Sequence, residues 1–132
     1  MLNQTQFVNE LELFIAKHSY TPSDILVSHG GSMLLMGHRE STGDIDVSVS
    51  RDIWVDQIIK SNNTPVSLGE RVWLLEVTSN IDIHIGVSKT KYKPLVHASG
   101  FLYNGREQTL LDYMALNRDK DQESIRLLRS LE

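Results

Sequence analysis

Cysteine is absent from the 132 residues of this sequence, so disulfide bonds and thiolate metal sites are excluded. Proline is scarce, and each of Pro22, Pro65 and Pro94 is typical of a break between two elements. Apolar runs are short, and none approaches the roughly 20 residues of a membrane-spanning helix. The first residues also lack the basic flank and apolar stretch of a secretory signal. These absences favour a cytoplasmic protein with no membrane partner.

The charge balance is mildly acidic. Thirteen Lys and Arg residues against seventeen Asp and Glu residues give a formal net charge of −4. That balance argues against a surface that coats nucleic acid, although a local basic patch remains open. A chain of this length fits one domain, and its share of hydrophobic residues is ordinary for a globular core. We therefore expect residues 1–132 to form a single domain.

Hydrophobic periodicity predicts a mixture of helices and strands. Apolar residues recur at helical spacing from Phe7 and Leu11 onwards, and polar and apolar residues alternate in the predicted strands. We expect an α+β fold, a small mixed β-sheet with helices packed on it. Asp52 is expected to cap the third helix, and Trp54 and Trp73 are expected in the core. Helices are predicted at 3–17, 33–36, 52–60, 107–117 and 122–131, and strands at 24–28, 44–50, 72–77, 80–87 and 101–103.

Asp44 and Asp46 are the first residues that point to chemistry. They are two apart on a predicted strand, so their side chains share one face. Adjacent carboxylates repel each other and are costly to bury unpaired. A hard divalent cation such as Mg²⁺, which prefers oxygen ligands, would relieve that cost. An isolated Asp-x-Asp is more often the solvated face of an edge strand, so the motif needs support from its surroundings.

That support comes from a glycine-rich turn and a third acid. Gly30, Gly31 and Ser32 lie between a predicted strand and a predicted helix. Glycine there lets the backbone approach a ligand, and the helix start offers free N–H groups to a phosphate. Asp82 lies on the polar face of a later predicted strand, together with His84. Three acids on neighbouring strands beside a phosphate-binding turn outline a two-metal site.

The stretch 30–47, GGSMLLMGHRESTGDIDV, resembles the signature of the DNA polymerase β-like nucleotidyltransferase superfamily. That signature places Gly-Gly or Gly-Ser a short spacer before an Asp-x-Asp pair flanked by hydrophobic residues. The version here is similar to small prokaryotic and viral members, including antitoxin-type and abortive-infection-type proteins. The segment LNRDKD at 116–121 and the helix after it resemble the closing helical segment of such proteins, at about 107–131.

The resemblance implies a nucleotidyltransferase-like fold and a metal-dependent transfer of a nucleoside monophosphate from a nucleoside triphosphate to an acceptor hydroxyl, with release of pyrophosphate. Gly30, Gly31 and Ser32 would bind the nucleotide through its triphosphate. Asp82 would help to deprotonate the attacking hydroxyl. The residues that would bind Mg²⁺ or Mn²⁺ and act in catalysis are Asp44, Asp46 and Asp82.

Several polar residues have two interpretations each. Arg39 could meet a phosphate bidentately, or it could pair with Glu40 or Asp44. Lys120 could reach the triphosphate or remain a solvated lysine in a charged loop. His84 could handle a proton near the third acid or be structural.

The acceptor is left open by the sequence, as a small molecule, a protein or an RNA end. Lys89, Lys91 and Lys93 would share one face of an extended segment, where they could guide an anionic acceptor or remain solvated. His29 precedes the glycines where many relatives carry a simple apolar or basic residue. Two other functions also stay open: a nucleotidyltransferase-like binding module with a protein partner, as in an antitoxin, and a metal-dependent phosphohydrolase that uses the same site.

Overall fold

The computed structural model describes residues 1–69, 72–86 and 91–131. In these residues five α-helices surround one seven-stranded sheet, which confirms the α+β prediction. None of these helices combines the length and the apolar character that crossing a membrane requires. The helices are α1 (Gln4–His18), α2 (Gly30–Leu35), α3 (Arg51–Ser61), α4 (Arg106–Leu116) and α5 (Gln122–Ser130). The strands are β1 (Ile25–Val27), β2 (Ile45–Val49), β3 (Val66–Gly69), β4 (Val72–Glu76), β5 (Ile81–Gly86), β6 (Leu95–Val96) and β7 (Leu102–Tyr103).

The sheet is mixed, and its centre joins strands that are distant in the sequence. The strand order is β3-β4-β5-β2-β1-β7-β6. β2 runs parallel to β5 and β1 runs parallel to β7, whereas the other neighbouring strands are antiparallel. In the β2–β5 pair, Asp46 lies opposite Asp82 and Ser48 lies opposite His84. Because side chains alternate along a strand, these four polar side chains share one face of the sheet.

The other face of the sheet carries the main hydrophobic core. Ile45, Val47 and Ile83 are fully buried there, in one cluster with Phe7 and Leu11 of α1. A slip of one residue in either strand would move these side chains to the polar face, so burial specifies the strand register. The same register sets the two aspartates of β2 and β5 beside each other. The core therefore positions the acids.

Two expectations about single residues are wrong. The third helix is capped by Ser50, whose hydroxyl accepts from the Ile53 N–H at 3.5 Å, and Asp52 lies in the first turn. The negative charge of Asp52 in that turn still interacts favourably with the positive end of the helix dipole. Trp73 is 44% exposed rather than buried. It pairs with the partly buried Ile85 at the start of β4, outside the best-packed part of the core.

Two strands, β3 and β6, were not predicted. Both lie at the edges of the sheet, and β6 has only two residues, Leu95 and Val96, which are 47% and 69% exposed. Edge strands bury little, so their sequences need not alternate between polar and apolar residues. These two strands form the edges of the sheet, but their sequences lack the polar and apolar alternation that would have predicted them.

Candidate active site

The polar face of β2 and β5 contributes to a cavity of about 660 Å³. Its other walls come from the start of α2, the loop before β2, and the end of α4 with the turn that follows it. Seven of the residues singled out in the sequence line this cavity, so the fold brings together groups that are up to 91 residues apart. The seven are His29, Gly30, Arg39, Asp44, Asp46, His84 and Lys120; the remaining lining residues are Thr42, Gly43, Tyr113, Leu116, Arg118 and Asp121.

The acids form a cluster on neighbouring strands. Asp44 is exposed just before β2, Asp46 is partly buried on β2, and Asp82 lies beside Asp46 on β5. Burial raises the pKa of Asp46, and the carboxylate of Asp44 adds to that shift while His84 and His29 oppose it. Burial, followed by repulsion from the neighbouring carboxylates of Asp46, Asp44 and Glu76, raises the pKa of Asp82 to about 6. The cluster therefore concentrates negative charge that a cation would relieve.

The acid cluster fits a cation that arrives with a phosphate. Among the described residues, no three or more His, Asp or Glu side chains are grouped so that they could hold a metal ion by themselves. Mg²⁺, however, is usually bound through one or two carboxylates plus substrate phosphates rather than by an all-protein cage. The donors here are hard carboxylate oxygens, which suit Mg²⁺ or Mn²⁺ better than zinc. The residues present thus fit the metal that the sequence resemblance implies.

The two glycines and the serine at the start of α2 have different surroundings. A Cβ added at Gly31 would lie 2.6 Å from the Phe7 and Val27 side chains, so this glycine allows α2 to pack closely on the core. Ser32 is fully buried, and its hydroxyl donates to the Val27 carbonyl at 3.0 Å. Gly30 lines the cavity instead. Gly30 therefore lines the cavity, whereas Gly31 and Ser32 are buried in the first turn of α2 and face the core.

Arg39 lies against Gly30. A Cβ added at Gly30 would come within 3.0 Å of the Arg39 Nη1 atom and 2.9 Å of the Thr42 hydroxyl. The guanidinium donates to the Ser124 hydroxyl at 3.0 Å and to the Tyr113 hydroxyl at 3.5 Å. In the described part of the chain, the ion pair with Glu40 or Asp44 that the sequence left open does not form. Helix α5 and helix α4 therefore hold Arg39 at the cavity through neutral hydroxyls, and leave its charge unpaired.

Arg118 and Lys120 add positive charge from the turn between α4 and α5. Arg118 donates to both carboxylate oxygens of Asp121, at 2.7 Å and 3.0 Å. Burial acts to raise the pKa of Asp121, but the hydrogen bonds and the charge of Arg118, together with the charge of Lys120, outweigh it and lower that pKa. Lys120, between them, is exposed at the cavity. Sequence reasoning missed Arg118, although its three-residue spacing from Asp121 is the signal of a fixed pair.

His29 was singled out by the sequence without a role, and the structure gives it an unusual backbone. Its φ of 55° and ψ of −124° lie in a region that side-chain-bearing residues rarely adopt. Its Nδ1 atom lies 3.0 Å from the Ser28 hydroxyl, and its ring meets the Tyr113 ring edge-on at 5.7 Å. Burial lowers the pKa of the imidazole against the opposing effect of Asp112 and Asp46. A strained residue in a cavity of charged groups is a feature of functional sites.

The described part of the lysine segment lies outside the cavity lining. Lys89 falls outside the described residues, whereas Lys91 and Lys93 are exposed and do not line the cavity. The backbone N–H of Lys91 donates to the side-chain oxygen of Gln108 at 2.8 Å, which attaches this segment to α4. A role for these lysines in acceptor binding stays a prediction.

No protein-family model matches this sequence, and no curated protein matches it. Among solved structures, the chain is similar to the aminoglycoside nucleotidyltransferase ANT(2″)-Ia in complex with adenylyl-2″-tobramycin, with a TM-score of 0.59 and 14% sequence identity. The match covers 97% of this chain and 90% of the other. At this identity the likeness shows a shared fold, which confirms the nucleotidyltransferase-like fold that the sequence resemblance implied.

Proposed function

We propose that this protein is a nucleotidyltransferase that moves a nucleoside monophosphate from a nucleoside triphosphate to an acceptor hydroxyl. The observation that carries the proposal is the pairing of Asp46 with Asp82 on parallel strands, next to a cavity that also holds Arg39 and Lys120. Asp44 and Asp46 line this cavity together with unpaired cations, and Asp82 adjoins Asp46 outside the lining. This arrangement suits a polyanion that binds together with a divalent cation. The fold shared with a solved nucleotidyltransferase supports the same function.

In this proposal the triphosphate binds to the cationic residues of the cavity. Arg39 can hold two phosphate oxygens with its planar guanidinium, and Lys120 contributes a point charge. Gly30 lets the backbone approach a phosphate. Gly31 and Ser32 do not contact the phosphate in this proposal; they hold the start of α2 against the core. Mg²⁺ or Mn²⁺, held by the acid cluster, would neutralise charge on the phosphates and on the leaving pyrophosphate.

Asp82 is the proton acceptor in this proposal. In the site without a cation its pKa is about 6, so it is deprotonated at neutral pH and able to accept a proton, and a bound cation would lower that pKa. As that proton leaves, the acceptor oxygen forms a bond to the α-phosphorus. The bond from the α-phosphorus to the bridging oxygen breaks, and pyrophosphate departs with the bonding electrons.

The test is to follow the α-phosphate. The protein is incubated with each α-labelled triphosphate, Mg²⁺ and cell extract, and the molecule that acquires label is identified. Asp46→Asn should abolish labelling. Asp119→Asn, the same change at an exposed residue outside the cavity lining, should leave it intact. Label that ends only in free nucleoside monophosphate would establish hydrolysis instead. No turnover of any triphosphate would favour a binding module.

Ligand binding can be tested independently of turnover. A ligand at 100 times its dissociation constant stabilises the fold by about 2.7 kcal/mol. We expect triphosphate and Mg²⁺ together to raise the melting temperature more than the sum of their separate effects. No shift with millimolar ligand would contradict nucleotide binding.

The salt dependence of RNA binding tests whether the acceptor is an RNA end rather than a small molecule or a protein. Binding through lysines releases counterions, so affinity for an RNA end would fall steeply with salt. The fall would flatten when Lys89, Lys91 and Lys93 are all changed to Ala. Absence of RNA binding at low salt would leave a small molecule or a protein as the acceptor.

A further inference from the structure

Ser124 contacts a residue of the proposed active site without belonging to the cavity lining. It lies in α5 and is only 8% exposed. Its hydroxyl accepts from the Nη2 atom of Arg39 at 3.0 Å, across 85 residues of sequence. A ligand in the cavity would therefore meet Arg39 and not Ser124.

A small hydrophobic cluster fixes the position of Ser124. Ile125 and Leu128 of α5 are buried in this cluster, together with Met33 of α2 and Tyr113 of α4. Leu128 follows Ser124 by one helical turn, so the two side chains lie on the same buried face of α5. Helix α2, which begins at the cavity, packs in the same cluster. Packing therefore fixes α5 relative to the wall of the cavity.

Arg39 has a long side chain that would otherwise be free to move. The residue lies in the loop between α2 and β2 and is exposed. An exposed arginine adopts many rotamers, and ordering it when a ligand binds costs free energy. The contact with a buried hydroxyl selects one arrangement of the guanidinium before the ligand arrives. Helix α5 thus lowers the cost of binding through Arg39.

The contact leaves the guanidinium able to bind an anion. In the described residues both of its hydrogen bonds start from Nη2, towards Ser124 and Tyr113. Nη1 lies on the side of Gly30, within 3.0 Å of the point where a Cβ would be, and it can donate to a ligand there. A neutral hydroxyl holds Arg39 without cancelling its charge, which a carboxylate in the same place would do.

We propose that Ser124 is a positioning residue for the triphosphate. It holds Arg39 with Nη1 towards the cavity, so α5 sets the affinity of a site that it does not line. The inference rests on the proposed function, in which Arg39 binds the phosphates. Tyr113 gives Nη2 a second, longer contact at 3.5 Å, but Tyr113 lines the cavity itself. A change at Ser124 therefore tests positioning without altering the cavity wall.

The test uses inorganic tripolyphosphate with Mg²⁺, which carries the phosphates of any nucleoside triphosphate and no base. Binding is followed by NMR on the isotope-labelled full chain, through the Nε–H group of Arg39 and the backbone amide of Gly30. Ser124→Ala removes one hydroxyl and places a better helix former in α5, so we expect it to stay folded. It should weaken binding by about tenfold, because a hydrogen bond no longer fixes the guanidinium.

Two comparisons separate positioning from a general defect of α5. Ser130→Ala makes the same change at an exposed serine of this helix and should leave the affinity unchanged. In an Arg39→Ala background, Ser124→Ala should weaken binding no further, because the residue through which Ser124 acts is gone. A merely structural role would weaken binding equally in both backgrounds.

A measurement without ligand reports the positioning directly. The heteronuclear NOE of the Arg39 Nε–H group senses fast motion of the guanidinium. We expect it to fall in Ser124→Ala and to keep its wild-type value in Ser130→Ala. An unchanged NOE in Ser124→Ala would overturn the inference.

The affinities distinguish failure of this inference from failure of the proposed function. Equal affinity of wild type and Ser124→Ala for tripolyphosphate overturns the role of Ser124 and leaves the proposed function in place. Equal losses with and without Arg39 overturn that role as well. No binding to the wild type at about 10 mM, where affinities near 1 mM would saturate, overturns both the role of Ser124 and the triphosphate site.

Discussion

Asp82 lies between two other acids in the sheet, with Asp46 opposite it in β2 and Glu76 opposite it in β4. Burial and the charges of Asp46, Asp44 and Glu76 together raise its pKa to about 6. In an unfolded chain the neighbours disperse, and an aspartate returns to a pKa of about 3.9. Folding therefore raises the proton affinity of this one carboxyl group, and this has consequences for stability and for metal binding.

The first prediction concerns pH. Between pH about 4 and about 6 the folded protein holds a proton on Asp82 that the unfolded chain has lost. The stabilising contribution of Asp82 is therefore complete below pH about 4 and is lost as the pH rises through about 6. In urea unfolding from pH 4 to 8 at about 25 °C, Asp82→Asn should gain stability relative to wild type as the pH rises. Asp119→Asn is the control, and parallel curves for wild type and Asp82→Asn would contradict the shift.

The second prediction concerns the partner acid. Asp46→Asn removes the neighbouring charge that repels the Asp82 carboxylate most, so the pKa of Asp82 should fall towards its ordinary value. NMR titration of the carboxyl carbons measures this directly. Asp46→Asn and Asp44→Asn should each abolish transfer and leave the fold as stable as wild type or more so, because repulsion is relieved. A variant with wild-type turnover would show that the acid does not bind the metal, and an unfolded variant would show that it is structural.

The sequence predicts the acid pair and the central strands because both depend on local patterns. Apolar and polar residues alternate along β2 and β5 because one face of each strand lies in the core and the other does not. Asp46 and Asp82 can therefore be assigned to the polar face from the sequence around them. The contribution of Tyr113 cannot be found in this way. It enters the cavity only because α4 packs near Arg39, which is 74 residues away in the sequence.

Local sequence also does not reveal which of the two glycines lines the cavity and which packs against the core. Gly30 and Gly31 are adjacent and look equivalent in sequence, yet one lines the cavity and the other contacts Phe7. Which face of α2 meets the core is decided by packing against α1, a tertiary contact without a local signal. The same holds for Trp73, whose apolar setting in the sequence does not reveal how far the core extends along β4.

The third prediction separates the two glycines. Gly31→Ala should destabilise the fold by about 1–3 kcal/mol, because the new methyl group would lie 2.6 Å from two buried side chains. Gly30→Ala should destabilise the fold less than Gly31→Ala, because the new methyl group would meet the Thr42 hydroxyl at 2.9 Å and the flexible end of Arg39 at 3.0 Å rather than two core side chains. It should lower activity, because the methyl group displaces Arg39. Denaturant unfolding and the labelling assay measure the two effects, and the reverse pattern would contradict the assignment of Gly30 to the cavity.

The fourth prediction concerns the strained backbone of His29. His29→Gly and His29→Ala both remove the imidazole, but only glycine adopts φ 55° and ψ −124° without strain. We expect the glycine variant to be more stable than the alanine variant by about 1 kcal/mol. At Glu12, an exposed position in α1, the order should reverse, because alanine is favoured inside a helix. Equal stability of the two His29 variants would mean that the backbone relaxes without cost.

The position of β1 in the sheet determines when its two partner strands become available during translation. β1 pairs on one side with β2, which follows closely, and on the other side with β7, where Leu26 meets Leu102. On a ribosome that adds roughly 5–20 residues per second, the second partner emerges about 4–15 s after the first strand. During that interval one edge of β1 has no partner strand, so the nascent chain carries an open sheet edge that the finished protein does not have. Until β7 emerges, that edge of β1 is open to pairing with a strand of another chain.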